Sequence, residues 1–392
     1  MLKSGHRNVA ILSAIAAMAS ATPACAEASE KHGAVAIDAN YVHDLVGIAQ
    51  GQQTGLRRTD LLSLTADLSL GELAGWKGTS LHFKAIAGTG EQPNALAGTM
   101  QGINNVEVST NRVRLFEAYV EQDLPKLHAS LRIGFSDLNS EFYANDAASL
   151  LIAPAFGIGS ELSATGSNGP AIFPSTAATV RVKVQPGDSS YVQFAAVNAE
   201  SGVLGDQGGV RPLLRSGALL IAEAGMTGKV KLALGAWSYT RRQDDIRLTT
   251  PAGDPVASRA RGGYLLAEAP VFSDSLRGFL RAGISDGDTT PYSGGWQAGL
   301  LANGLVPHRP DSQLSLGVNQ AYLSPKFRAN AADAGEAMRA AETAFELTYA
   351  DKLAPWLTVQ PDIQYVWNPS RATGARNALV FTLRLRAGLS WP

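Results

Sequence analysis

The chain has 392 residues, with 33 Lys+Arg against 34 Asp+Glu and a formal net charge of −1. That near-neutral balance leaves no basic stripe of the kind a nucleic-acid-binding surface needs. A single Cys excludes a disulfide framework and a thiolate-rich zinc site.

The first residues read as an export signal. Lys3 and Arg7 give a positive start, Val9 to Ser20 is apolar but too short to span a bilayer, and Ala24-Cys25-Ala26 supplies a small-residue cleavage site. Cleavage after Ala26 removes the only thiol, which suits a protein that folds in an oxidising compartment. Thr22 stands where a lipoprotein signal wants a Leu-like residue, which disfavours lipidation of Cys25. Residues 27–392 then form a single domain.

Beyond residue 27 no window approaches the roughly 18 consecutive apolar residues of a membrane helix. Period-2 alternation recurs instead, and a strand so patterned has one apolar and one polar face. In chain order the alternating segments fall at 34–42, 59–70, 77–89, 111–123, 128–137, 178–185, 189–198 and 215–225. They continue at 229–240, 260–270, 275–285, 294–303, 311–321, 339–350, 355–367 and 376–390. The last is the clearest: Leu379, Phe381, Leu383, Leu385 and Leu389 alternate with Val380, Thr382, Arg384 and Arg386.

The connections run long, short, long, short. Short ones include 71–76, 124–127, 186–188, 226–228, 271–274 and 351–354; long ones include 43–58, 90–110, 138–177, 199–214 and 241–259. This asymmetry predicts an all-β fold: a 16-stranded antiparallel transmembrane β-barrel with short periplasmic turns and long extracellular loops. An even count returns both termini to the periplasmic side. A soluble sandwich has no reason to segregate loop length by end, and its strands average about 5–6 residues against the roughly 9–11 that cross a bilayer. The lack of an internal repeat of fixed period counts against a propeller.

The six Trp fall at strand ends, with Trp76, Trp356 and Trp391 at the short-turn end and Trp237, Trp296 and Trp367 at the long-loop end. Parity places Trp296, Trp367, Tyr41 and Tyr349 on the lipid side, as girdle residues at the lipid–water boundary. Trp237 and Tyr239 oppose Leu232 and Leu234, so they face the lumen, either as flat surfaces for a solute or packed beneath a loop.

The opposite parity turns Asp38, Asn40, Lys84, Glu117, Glu121, Arg132, Arg181, Lys183, Gln193, Glu223 and Glu268 inward. Arg281, Glu342, Glu346, Asp362, Gln364, Arg384 and Arg386 join them. Charges of both signs keep such an interior wet, and 16 strands leave an aqueous channel. Individually these groups are equally able to pair across neighbouring strands and stiffen the wall. The 40-residue connection 138–177 is too long for an idle hairpin and carries few charges, so it is expected to fold inward and narrow the pore.

Several stretches resemble one family. Arg114-Leu115-Phe116-Glu117-Ala118-Tyr119 is similar to the R-L-x-E-x-aromatic strand of the OprB-type carbohydrate-selective porins of the bacterial outer membrane. Leu131-Arg132-Ile133-Gly134 with Asp137-Leu138-Asn139-Ser140-Glu141-Phe142 resembles their L-R-x-G-x-x-D-x-N-x-E-F segment. Phe156-Gly157, Arg309-Pro310-Asp311 and the run from Glu342 through Glu346 to Tyr349 continue the match. Most specific is Pro361-Asp362-Ile363-Gln364-Tyr365-Val366-Trp367-Asn368-Pro369, similar to the family's P-D-x-Q-Y-x-x-N-P signature. The pieces occur in order along nearly all of the chain after the signal.

The resemblance implies passive, carbohydrate-selective diffusion of glucose and related small sugars across the outer membrane, without cofactor. It carries Arg114 and Glu117 from the first motif, and Arg132 and Glu141 from the second, to sugar contact. Glu121, Trp237, Glu346, Asp362, Gln364 and Arg384 join them as inward-facing candidates. Arg114 shares parity with Phe116 and Val120 on the lipid side, so it must lie at a strand end or a bend. Ser370 replaces the family's usual Gly after N-P, and the chain ends Trp391-Pro392 rather than in an aromatic, which bears on recognition by the barrel-assembly machinery. Expected partners are permeating small sugars and outer-membrane lipid; monomer and homo-oligomer both stay open.

A barrel hydrolase would need Ser and His on one wall. His32, His43, His82, His128 and His308 are scattered, and there is no G-x-S-x-G elbow. No catalytic or metal-ligand constellation stands out. The nearest alternative is a general or anion-preferring diffusion porin, but an anion pore would need a Lys/Arg ladder without the intervening Glu117, Glu121, Glu342 and Glu346.

Overall fold

Side chains that alternate apolar and polar satisfy both demands in a sheet with lipid on one side and water on the other, and only closure leaves such a sheet without an unpaired edge. The computed structural model, which describes residues 33–166, 169–202, 216–369 and 374–391, shows that closure. The expected signal peptide at 1–26, Ser370 and Pro392 lie outside the described residues.

The wall begins with β1 (Val35–Gln50), β2 (Gly55–Ser69), β3 (Thr79–Gly90) and β4 (Arg112–Leu124). It continues with β5 (Ala129–Ser136), β6 (Ala177–Gly187), β7 (Ser190–Asn198), β8 (Ala218–Met226) and β9 (Lys231–Tyr239). After a separate two-stranded hairpin, β10 (Gln243–Thr249) and β11 (Pro255–Ser258), come β12 (Arg261–Val271), β13 (Ser273–Ser285) and β14 (Tyr292–Asn303). The last four are β15 (Gln313–Leu323), β16 (Ala341–Ala354), β17 (Leu357–Trp367) and β18 (Ala378–Trp391). Among the described residues four α-helices sit in the connections: α1 (Leu70–Ala74), α2 (Pro93–Ala97), α3 (Ser160–Ser163) and α4 (Pro325–Asp333).

Sixteen antiparallel strands close when β1 pairs with β18, Asp44 opposite Arg384. Each of the sixteen predicted segments overlaps one wall strand. The aliphatic parity points outward: Leu62, Leu64, Phe83, Val180, Val182, Leu347, Phe381 and Leu383 are exposed on the outer surface. Trp356, Trp367, Trp391 and Tyr41 are exposed toward the strand ends, in line with the girdle reading.

Three expectations change. The long connection placed at 43–58 is only 51–54, because β1 and β2 extend above the polar residues His43, Asp44 and Asp60. Loop length segregates less cleanly than expected, since 286–291 is short on the long-loop side while 70–78 and 304–312 are longer turns opposite. Phe116 does not face lipid. A β-bulge in β4 pairs Lys84 with Glu117 but the next residue, Ala85, with Leu115, which leaves Phe116 as the extra residue. Upstream of the bulge Val113 is 76% exposed and points out, while Arg114 (6%) and Phe116 (3%) point in beside Glu117. That bulge is the bend Arg114 required. Facing it, Gly134 of β5 has φ 147°, and a Cβ there would lie 2.3 Å from the Ala118 carbonyl oxygen.

On the long-loop side, the hairpin docks on α4. Arg247 Nη1 donates to Asp333 Oδ2 (2.7 Å), and the Lys326 ammonium bonds Asp245. Burial pushes the Asp245 carboxyl up, but hydrogen bonds from Leu248 N, Lys326 and Arg247 N hold it down at about 2. A depressed carboxylate stabilises the docked form above its ordinary value and loses that contribution as pH falls through about 2. Compared at each pH with Asp245→Asn, pepsin cleavage within 243–258 should therefore be slower at pH 4 and approach the variant's rate at pH 2.

Candidate channel lumen

Inward side chains of the strands hold the backbone of the described part of the 137–176 connection. Arg281 on β13 donates to four of its carbonyls: Tyr143 (3.2 Å), Gly157 (2.9 Å), Ala155 (3.1 Å) and Phe156 (2.6 Å). Carboxylates take its N–H groups. Glu346 accepts from Ile152 and Ala153, and Glu268 from Asp146 (2.9 Å) and Ala147 (3.0 Å). Glu223 accepts from Tyr143 (3.0 Å), and Glu117 from Asp137 (3.1 Å). Buried backbone groups need such partners, and charged ones give the stronger bonds. Gly317 on β15 makes room for the loop, because a Cβ there would come within 2.6 Å of the Phe156 ring.

A second connection, 91–111, also folds inward, and this was not anticipated. Met100 N and Gln101 N donate to Glu342 (2.8 and 2.9 Å), and Gln364 Nε2 donates to the Ile103 carbonyl (2.9 Å). Asn104 Nδ2 reaches Asp44 (2.6 Å), and Arg384 Nη2 reaches Asn105 (2.8 Å). Asp44 escaped notice because the sequence reading left it in a loop. The visible signal was the clustering of inward acids and amides on β16 and β17, Glu342, Glu346, Asp362 and Gln364.

The ten candidate residues fall into five places. Glu121, Arg132 and Glu141 come together around Arg181. Arg132 donates to Glu121 through Nε (3.0 Å) and Nη2 (2.7 Å), and Arg181 bridges Glu141 (2.5 Å) and Glu121 (2.6 Å). Arg132 also lies 4.1 Å from the Tyr119 ring centroid, whose other face stacks on His82 at 4.7 Å. The side chains of Arg132, Glu121 and Glu141 keep part of their surface open to the lumen, while Arg181 is covered.

Glu346, Asp362, Gln364 and Arg384 sit together on β16–β18, where Glu346, Gln364 and Arg384 support the inward connections and Asp362 accepts from Gln364 Nε2 (3.1 Å). Arg384 grips Asp44 with two 2.7 Å bonds. Trp237 faces inward as its parity indicated but is 3% exposed, packed with Tyr143, Tyr239, Phe142 and Leu162. Of its two readings, the geometry is that of packing beneath the loop. Glu117 is at the base of that loop, between His82 and Lys84. Arg114 stands apart toward the outer end of β4. Among the described residues no group of three His, Cys, Asp or Glu could hold a metal ion.

Known proteins agree with this geometry. Residues 53–389 match the model of a family described as carbohydrate-selective porin, OprB family. Porin B of Pseudomonas aeruginosa is 22% identical over 387 residues, covering 88% of this chain and 84% of that protein. The high-pH structure of Pseudomonas putida OprB superposes with a TM-score of 0.81 at 20% identity, covering 91% of this chain and 94% of that one. An anion-selective porin from Comamonas acidovorans shares the fold at a TM-score of 0.55 and 12% identity, covering 91% and 99%. A closed wall of sixteen strands, a polar interior and a family match spanning nearly all of that wall lead to one assignment: the chain belongs to the OprB family of carbohydrate-selective porins of the outer membrane.

Proposed function

We propose that the chain lets glucose and related small sugars diffuse into the periplasm, with 137–176 and 91–111 narrowing the bore and the Arg132–Glu121–Glu141 cluster contacting the sugar. The observation that carries this reading is that cluster: charge-assisted donors and acceptors locked side by side by Arg181 yet partly open to the lumen. Sugar hydroxyls both donate and accept, so a wall carrying both kinds of group replaces their water shell. Tight binding would block exit, so contacts are weak and spread over several groups, and no energy source is needed. Glu346, Gln364, Arg384 and Trp237 act on the sugar indirectly by fixing the loops. The outer band of Leu, Val and Phe meets membrane lipid, into which barrel-assembly machinery inserts the chain.

The mixed signs at this cluster favour sugar selectivity over an anion-preferring pore. Changing Arg132 to Ala leaves the barrel closed and removes the preference for glucose over amino acids of similar size in liposome swelling. An unchanged preference would take Arg132 out of the site.

A further inference from the structure

Buried arginines in this lumen are answered. Arg181 meets Glu121 and Glu141, Arg281 meets four carbonyls, and Arg384 meets Asp44 and Asn105. Among the described residues Arg114 stands out by degree, with two buried donor nitrogens open where Arg281 has one. The bulge turns it inward and burial covers it, yet its Nε and Nη1 have no hydrogen-bond partner. Phe116 separates it from Glu117, whose oxygens face Asp137 N, His82 and Lys84. The next inward position toward the outer mouth is Arg112, a second positive charge.

A buried guanidinium with unused donors is costly unless something answers its charge. A hydroxyl can accept one of its bonds, but only an oxyanion also neutralises it, and guanidinium is the side chain best suited to oxyanions.

We infer that Arg114 is a docking point for the oxyanion of anionic sugars, so that the channel admits sugar acids or sugar phosphates beside neutral sugars. This rests on the sugar-channel reading and extends it.

The test is uptake of labelled glucose, glucuronate and glucose 6-phosphate into proteoliposomes, with folding checked by heat-modifiable migration. In Arg114→Gln the ratio of anionic to neutral sugar uptake falls about fivefold or more, and Arg114→Lys keeps most of it. The two anionic solutes distinguish carboxylate from phosphate as the preferred group. An unchanged ratio in folded Arg114→Gln, or an equal loss for glucose and both anions, overturns the inference. Should that variant not fold, competition in the unmodified protein decides: glucuronate or glucose 6-phosphate must slow glucose uptake at lower concentration than mannose does. Uptake of glucose with exclusion of both anions sinks this inference alone, whereas failure to pass any sugar sinks the channel reading.

Discussion

Replacing Arg281 with methionine widens the channel. The guanidinium ties the three consecutive carbonyls 155–157 and that of Tyr143 to β13, and among the described residues no other wall group is seen to reach the carbonyls at 155–157. Methionine fills much of the volume but donates nothing, so buried carbonyls lose partners at about 1–3 kcal/mol each until water or a shifted loop answers them. Escape toward the open lumen is the cheaper response. Single-channel conductance should rise, by about twofold if the loop sets the narrowest section, with noisier open states. Quiet channels of unaltered conductance would show that the narrowest section lies elsewhere.

Replacing Arg384 with methionine costs more stability. Asp44 is fully buried on the strand that closes the barrel, and removing its bidentate partner leaves a carboxylate whose remaining hydrogen-bond donor is Asn104, with the Arg386 charge close by. Breaking such a pair from one side costs about 3–5 kcal/mol, while replacing both members by apolar groups of similar volume is often neutral. The Arg384→Met variant should lose its folded mobility at markedly lower temperature, and Asp44→Leu combined with it should recover most of the loss. Conductance of the double variant stays raised, because 91–111 no longer has its anchors at Asn104 and Asn105. Recovery of the original conductance in the double variant would mean that Glu342 and Gln364 hold that connection unaided.

The wall was legible in the sequence, and the pairings that anchor the inward connections were not, for physical reasons. Strands repeat every two residues, so β17 alone, from Gln360 to Trp367, shows which side is wet. Parity fails where a residue is inserted, and at Phe116 a single bulge reversed the face of everything upstream in β4, Arg114 included. The inward connections have no period at all. Their anchors join residues as distant as Asp44 and Arg384, or Gln101 and Glu342, and one chain read alone cannot show those pairings. Inward placement of Glu346, Gln364 and Arg384 could be read from alternation; that they hold loop backbone and a buried carboxylate required the coordinates.

The most direct test is swelling of liposomes containing the purified barrel in iso-osmotic glucose, in neutral amino acids of similar size and in disaccharides. The account predicts faster entry of glucose than of amino acids no larger than it, with a rate that levels off as glucose concentration rises. Rates that follow solute size alone, with no levelling, would contradict it.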